Sequence, residues 1–105
     1  MKEPVKFKLC QPIEHGDKTI DELTIRFPTT KEIRKVGGFP YKTDSQYEEA
    51  EIDTEKAARY LSICADIPPS VVDKMDIGDF QNACFIINGF FMASLSRRFS
   101  IVASK

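Results

Sequence analysis

At 105 residues the chain has room for one domain and no second, and 42% apolar with 10% aromatic residues supplies enough core-forming side chains to exclude wholesale disorder. Fifteen Lys and Arg against sixteen Asp and Glu leave a net charge of −1, too even a balance for the one-sided field that grips a phosphate backbone, so nucleic acid is not an expected partner. The three cysteines, Cys10, Cys64 and Cys84, are odd in number and fall outside any Cys-x-x-Cys or His/Cys ligand spacing, which excludes a disulfide framework and a zinc motif and points to a reducing compartment.

Between Val5 and Leu9 the apolar Val5, Phe7 and Leu9 alternate with Lys6 and Lys8, the period of two expected of a strand with one buried face. The alternation returns at Leu23, Ile25 and Phe27, and Pro28 stops it because proline has no N–H for the ladder. Gln11 to Asp21, with Pro12 and the turn-prone Glu14-His15-Gly16-Asp17, reads as the connection, so the two strands are expected to close as an antiparallel hairpin. A lone hairpin is marginal in water, and its apolar face requires helices to cover it. Thr29 or Thr30 opens the first helix, Glu32 completes a capping box with Thr29, and Gly37-Gly38 end it. Phe39 to Asp53 shows no periodicity and carries Pro40 with Asp44, Glu48, Glu49, Glu51 and Asp53; residues 38–53 are expected to form a mobile acidic loop.

Asp53 or Thr54 caps the next helix, whose Ala57, Leu61, Cys64 and Ala65 share one face before Pro68-Pro69 end it. A short helix follows, with Pro69 in its first turn and Val71, Val72 and Met75 as its apolar residues. Asp76 caps the last and longest helix, where Phe80, Ala83, Cys84, Ile87 and Phe91 form a core stripe and the dipole favours Asp76 and Asp79 at the N-terminus. Phe85, Ile86, Phe90, Met92 and Leu95 add apolar surface outside that stripe, which either the domain or a partner must bury. Ala83 to Leu95 is the most apolar stretch, yet it falls short of the ~20 residues a bilayer demands, and Met1-Lys2-Glu3-Pro4 is no signal peptide, so no membrane is expected. Ser96 to Lys105 is expected to be a frayed tail. The fold class is α+β: an N-terminal antiparallel β-hairpin packed against three to four α-helices, with a helical C-terminal half, in a single domain over residues 1–105.

Little here suggests catalysis. His15, the single histidine, lies in the turn without a nucleophile or orienting partner beside it, and reads as a solvated turn residue. The carboxylates from Asp44 to Asp53 sit where no rigid element would fix their separation or exclude water, and acid–base catalysis needs both. Cys64 and Cys84 fall on apolar helix faces, where a thiol packs as a small hydrophobe, and Cys10 has no basic activator next to it. Gly37-Gly38 follow a helix, whereas a phosphate cradle places glycines before one. No enzyme, cofactor or metal is expected. Ala57 to Met75 has the outline of a helix-turn-helix, but Val71 to Met75 offers only Asp73 and Lys74 to reach a base or a phosphate.

Gln11-Pro12-Ile13 after a strand is followed by Glu22-Leu23-Thr24-Ile25-Arg26-Phe27-Pro28-Thr29 entering a short helix. Leu61 to Ala65, Ile67-Pro68-Pro69, Val71-Val72-Asp73-Lys74-Met75, Asp79-Phe80 and Asn88-Gly89-Phe90-Phe91 come next in order. Together, over most of residues 5 to 92, they resemble the short tail assembly chaperones of contractile-tailed, Mu-like bacteriophages and prophages. The loop Tyr41 to Asp53 and the tail after Leu95 lie outside the likeness. The resemblance implies a non-enzymatic assembly factor of the bacterial host cytoplasm, absent from the mature virion, that binds the tail tape measure protein while tail tube subunits polymerise around it. Family members are commonly made in a second, frameshifted form as well. The tube protein is a further implied partner, and a homo-oligomer would bury the same apolar surplus. The expected client surface is Phe85, Phe90, Phe91, Met92 and Leu95 on the last helix. Two alternatives stand beside it: a structural tail or baseplate component retained in the virion, and a small DNA-binding regulator.

Overall fold

The first strand, β1 (Val5–His15), turns through Gly16-Asp17 into β2 (Lys18–Ile25), and the two pair antiparallel in a computed structural model that describes residues 3–44 and 49–103, with side-chain surroundings for 3–42 and 51–93. The two-residue loop puts Gly16 at φ +62, which a residue with a side chain adopts reluctantly. Both strands run further than the alternation in sequence suggests. The register slips between Lys8 and Ile13, where β1 holds extra residues that β2 does not match, and Pro12, with no N–H to offer a ladder, sits inside this bulge. Beyond it Ile13 pairs with Ile20, so the segment read as a connection is mostly strand.

α1 (Thr30–Val36) begins with the expected box: Thr29 Oγ1 accepts from the Glu32 N–H at 3.2 Å, and the Glu32 carboxylate accepts from the Thr29 N–H at 2.9 Å. Gly37 ends it at φ +94, a left-handed cap that glycine takes without steric penalty. The stretch expected to be a mobile loop requires correction, because β3 (Tyr41–Asp44) and β4 (Glu49–Ile52) form a second antiparallel hairpin with Tyr41 opposite Ile52. Strands of four residues are too short to announce a period. Residues 45–48 of that stretch lie outside the described residues.

Three more helices follow: α2 (Thr54–Ala65), α3 (Pro69–Asp73) and α4 (Ile77–Ala103). Asp53 caps α2 by accepting from the Lys56 N–H at 3.2 Å. Asp76 does the same for α4, its carboxylate accepting from Gly78 and Asp79 at 3.1 and 3.3 Å. Where a frayed tail was expected from Ser96, the helix continues to Ala103.

The hairpin lays Leu9, Ile13, Leu23 and Ile25 against Leu61 and Cys64 of α2, Val71 and Val72 of α3, and Ala83, Ile87 and Phe90 of α4 in one core. This is the α+β packing the sequence implied, with four helices among the described residues. Among the described residues one charged side chain is buried beside it. Asp79 is 1% exposed, and its carboxylate accepts the backbone N–H groups of Cys10 (3.1 and 3.0 Å) and Gln11 (3.1 Å), the donors that the bulge withholds from β2. The first turn of the last helix is thereby fastened to the first strand.

Candidate functional site

Function on this scaffold has to be sought among exposed apolar groups. Phe39, just past α1, is 50% exposed; Ile77 and Phe85 of α4 are 85% and 52% exposed. Tyr60, fully buried in α2, donates its hydroxyl to the Gly38 carbonyl and so pins the loop that carries Phe39, while burial raises its own pKa. Phe39 stacks on Tyr41 with ring centroids 5.7 Å apart and meets the edge of Phe91 at 5.9 Å; Phe91 in turn sets its edge to Tyr60 at 5.3 Å. The result is an aromatic patch rooted in the core through Tyr60 and Phe91 and open to solvent at Phe39.

Phe85, Phe90, Phe91 and Met92, the expected client residues whose side chains are described, do not form one surface, and the helical screw explains why. Phe90 points inward: it is 7% exposed and stacks on Phe27 at 3.9 Å, so its expected role as an exposed anchor is corrected. Phe91 is half-buried and joins the aromatic patch. Phe85 lies on the opposite, outward side, and Met92 is half-buried near it along the helix. The side chain of Leu95 lies outside the described ones. Sequence reasoning missed Phe39 and Tyr41, which sit in the segment read as a loop; exposed aromatics beside Gly38 and Pro40 were the available signal.

The ionisable groups serve structure. Arg26, at the end of β2, donates both guanidinium arms to Glu32 at 2.8 and 2.7 Å. That fork, with the Thr29 N–H adding to it, holds the Glu32 carboxyl at about 2. Burial pushes the thiols of Cys64 and Cys84 up to about 11, the opposite of what a nucleophile requires. A shallow groove of about 360 Å³ between α1 and α2 is edged by Lys35 and Arg59 and floored by Val36 and Ile63. Val71, Val72 and Met75 face the core, leaving Asp73 of α3 and Lys74 just after it exposed. Among the described residues no group of three His, Cys, Asp or Glu is placed to hold a metal, and no helix is long and apolar enough to cross a membrane.

Such a scaffold, with aromatic surface and structural charges, suits holding another protein. A family profile described as phage tail assembly chaperone proteins, E, or 41 or 14, matches residues 6–92. The chain belongs to the phage tail assembly chaperone family. The matched span takes in most of the first hairpin, the aromatic patch and α4 as far as Met92, so Phe39 and Phe85 of the chaperone both fall within it. No curated protein and no solved structure matches the chain.

Proposed function

We propose that this chaperone binds the tail tape measure protein in the host cytoplasm, without catalysis, and holds it while tube subunits assemble around it. The observation that carries the reading is Phe39, half exposed yet fixed between Tyr41 and Phe91. An ordered, outward-facing ring loses little conformational freedom when it is buried against a client, which is the property of an interface anchor. Of the residues expected from sequence to meet the client, Phe91 belongs to this patch, and Phe39 and Tyr41 extend it. An apolar segment of the tape measure protein laid across Phe39 would meet aromatic surface on one side.

Co-expression of the chaperone with a tape measure protein from the same phage or prophage tests the reading. Wild type should co-purify with the client and keep it soluble, and Phe39→Ser should lose the client while its circular dichroism stays unchanged. A folded Phe39→Ser chain that captures the client as well as wild type would move the binding surface elsewhere. Failure of the wild type to capture it would remove the tape measure protein as client.

A further inference from the structure

The groove between α1 and α2 draws on the same helical spacing from each wall: Glu32, Lys35 and Val36 from one, Arg59, Ser62 and Ile63 from the other, with Pro69 of α3 completing it. Two of its polar groups are spent. Glu32 sets one carboxylate oxygen on each guanidinium arm of Arg26, at 2.8 and 2.7 Å, and Ser62 donates its hydroxyl to the Ile67 carbonyl. Lys35 and Arg59, both exposed, are the charges left for a ligand. Among the described residues Lys35 has no ion pair, and Arg59 reaches Glu55 only at 3.9 Å, with both side chains more than half exposed. α1 carries three cations, Lys31, Arg34 and Lys35, against Glu32, in a chain whose net charge is −1. The helix dipole accounts for cations at the end of α1, but not for Arg59, midway along α2 on the facing wall.

We propose that this groove holds an acidic, apolar segment of a partner protein, with an apolar side chain on Val36 and Ile63 and carboxylates on Lys35 and Arg59. Charge complementarity selects the sign of the occupant, because the acid in the groove is already neutralised and two cations flank an apolar floor. A bare anion would leave Val36, Ile63 and Pro69 in water, and a nucleic acid would find no aromatic ring among the lining residues on which to stack a base. At about 360 Å³ the groove stands at the small end of ligand sites and takes a short segment. Within this chain Glu51-Ile52-Asp53 and Asp76-Ile77 come nearest to the pattern, but Ile52 lies opposite Tyr41 in the second hairpin, and Asp53 and Asp76 are spent as helix caps. The occupant therefore comes from another protein. Phe39, Tyr41 and Phe91 do not line the groove, so it is a second contact, separate from the aromatic patch.

The test titrates the isotope-labelled full chain with a synthetic decapeptide of alternating Glu and Leu and follows the amide shifts by NMR. The amides of Lys35, Val36, Arg59 and Ile63 should shift together and saturate with a Kd below ~1 mM, more weakly as salt is raised. A decapeptide of Glu alone and inorganic phosphate, which have no apolar side chain to bury, should each bind at least about tenfold more weakly. Lys35→Glu and Arg59→Glu, both at exposed positions, should each weaken binding about fivefold or more with unchanged circular dichroism. No saturating shift at these amides, equal binding of the Glu decapeptide or of phosphate, or folded charge-reversed variants that bind as well as wild type overturns the proposal. A wild-type chain that runs at twice 11.9 kDa and returns to 11.9 kDa as Arg59→Glu gives the groove to a second copy and overturns it as well. The tape measure protein is absent from every arm, and Phe39→Ser should bind the Glu-Leu decapeptide as wild type does, so this proposal and the client reading fail separately.

Discussion

Replacing Asp79 with alanine should be among the most damaging single changes outside the apolar core. Its carboxylate receives the N–H of Cys10 at 3.1 and 3.0 Å and that of Gln11 at 3.1 Å, and the side chain is 1% exposed. Hydrogen bonds to a charged group contribute ~1.5–3 kcal/mol each, and two amides lose their acceptor at once. Cys10 and Gln11 are themselves exposed, so water recovers part of the loss, and the lower end of the range applies: about 3 kcal/mol, with a small cavity added. Asp79→Asn keeps an acceptor oxygen but turns an amide donor toward a donor, for about half that cost. Domains of this size have only ~5–15 kcal/mol in total, so Asp79→Ala should lower the melting temperature by ~10–20 °C. Urea unfolding followed by circular dichroism measures the loss, and hydrogen exchange should show the Cys10 and Gln11 amides deprotected. A change below ~0.5 kcal/mol, the level of an ordinary surface substitution, would refute the claim that this carboxylate joins the hairpin to α4.

Further outcomes follow from the same geometry. Glu32, held at about 2 against 4.5 in the unfolded chain, contributes stability that is complete above pH 4.5 and is lost as pH falls toward 2. Glu32→Gln should flatten the stability profile in that window, by less than ~1 kcal/mol because Arg26 is largely solvated, and a profile as steep as wild type would contradict this. Tyr60→Phe removes the hydroxyl that holds the Gly38 carbonyl and should cost about 1 kcal/mol in thermal unfolding, without a change in fold. Thiol labelling of the folded chain at neutral pH should modify exposed Cys10 and spare Cys64 and Cys84, which burial holds at about 11, until denaturant is added.

The hairpin was legible because Val5, Phe7 and Leu9 alternate with lysines, and α2 and α4 because their apolar residues recur at helical spacing under visible caps at Asp53 and Asp76. The full length of the strands was not legible, since a bulge breaks the alternation where the chain still pairs. β3 and β4 were hidden for a different reason: each is four residues long, and their pairing depends on the partner strand more than on either sequence. That concealment also hid Phe39 and Tyr41 as surface aromatics. Asp79 was visible as an acid favoured by the helix dipole, but its role as acceptor for β1 depends on a contact between residues 69 positions apart. The apolar surplus of α4 was plain in the sequence. Its division into an inward Phe90, a lateral Phe91 and an outward Phe85 required knowing which side of the helix the hairpin and Phe27 occupy.

The span between the bulge and its acceptor also sets a timetable for synthesis. The amides of Cys10 and Gln11 are made 69 and 68 residues before the carboxylate that receives them. At ~5–20 residues per second that interval lasts ~3–14 s, whereas a hairpin closes within microseconds. For those seconds Leu9, Leu23 and Ile25 have no α4 to cover them, and the nascent chaperone exposes apolar surface of its own. Its last helix, and not its first hairpin, decides when it ceases to be a candidate for aggregation.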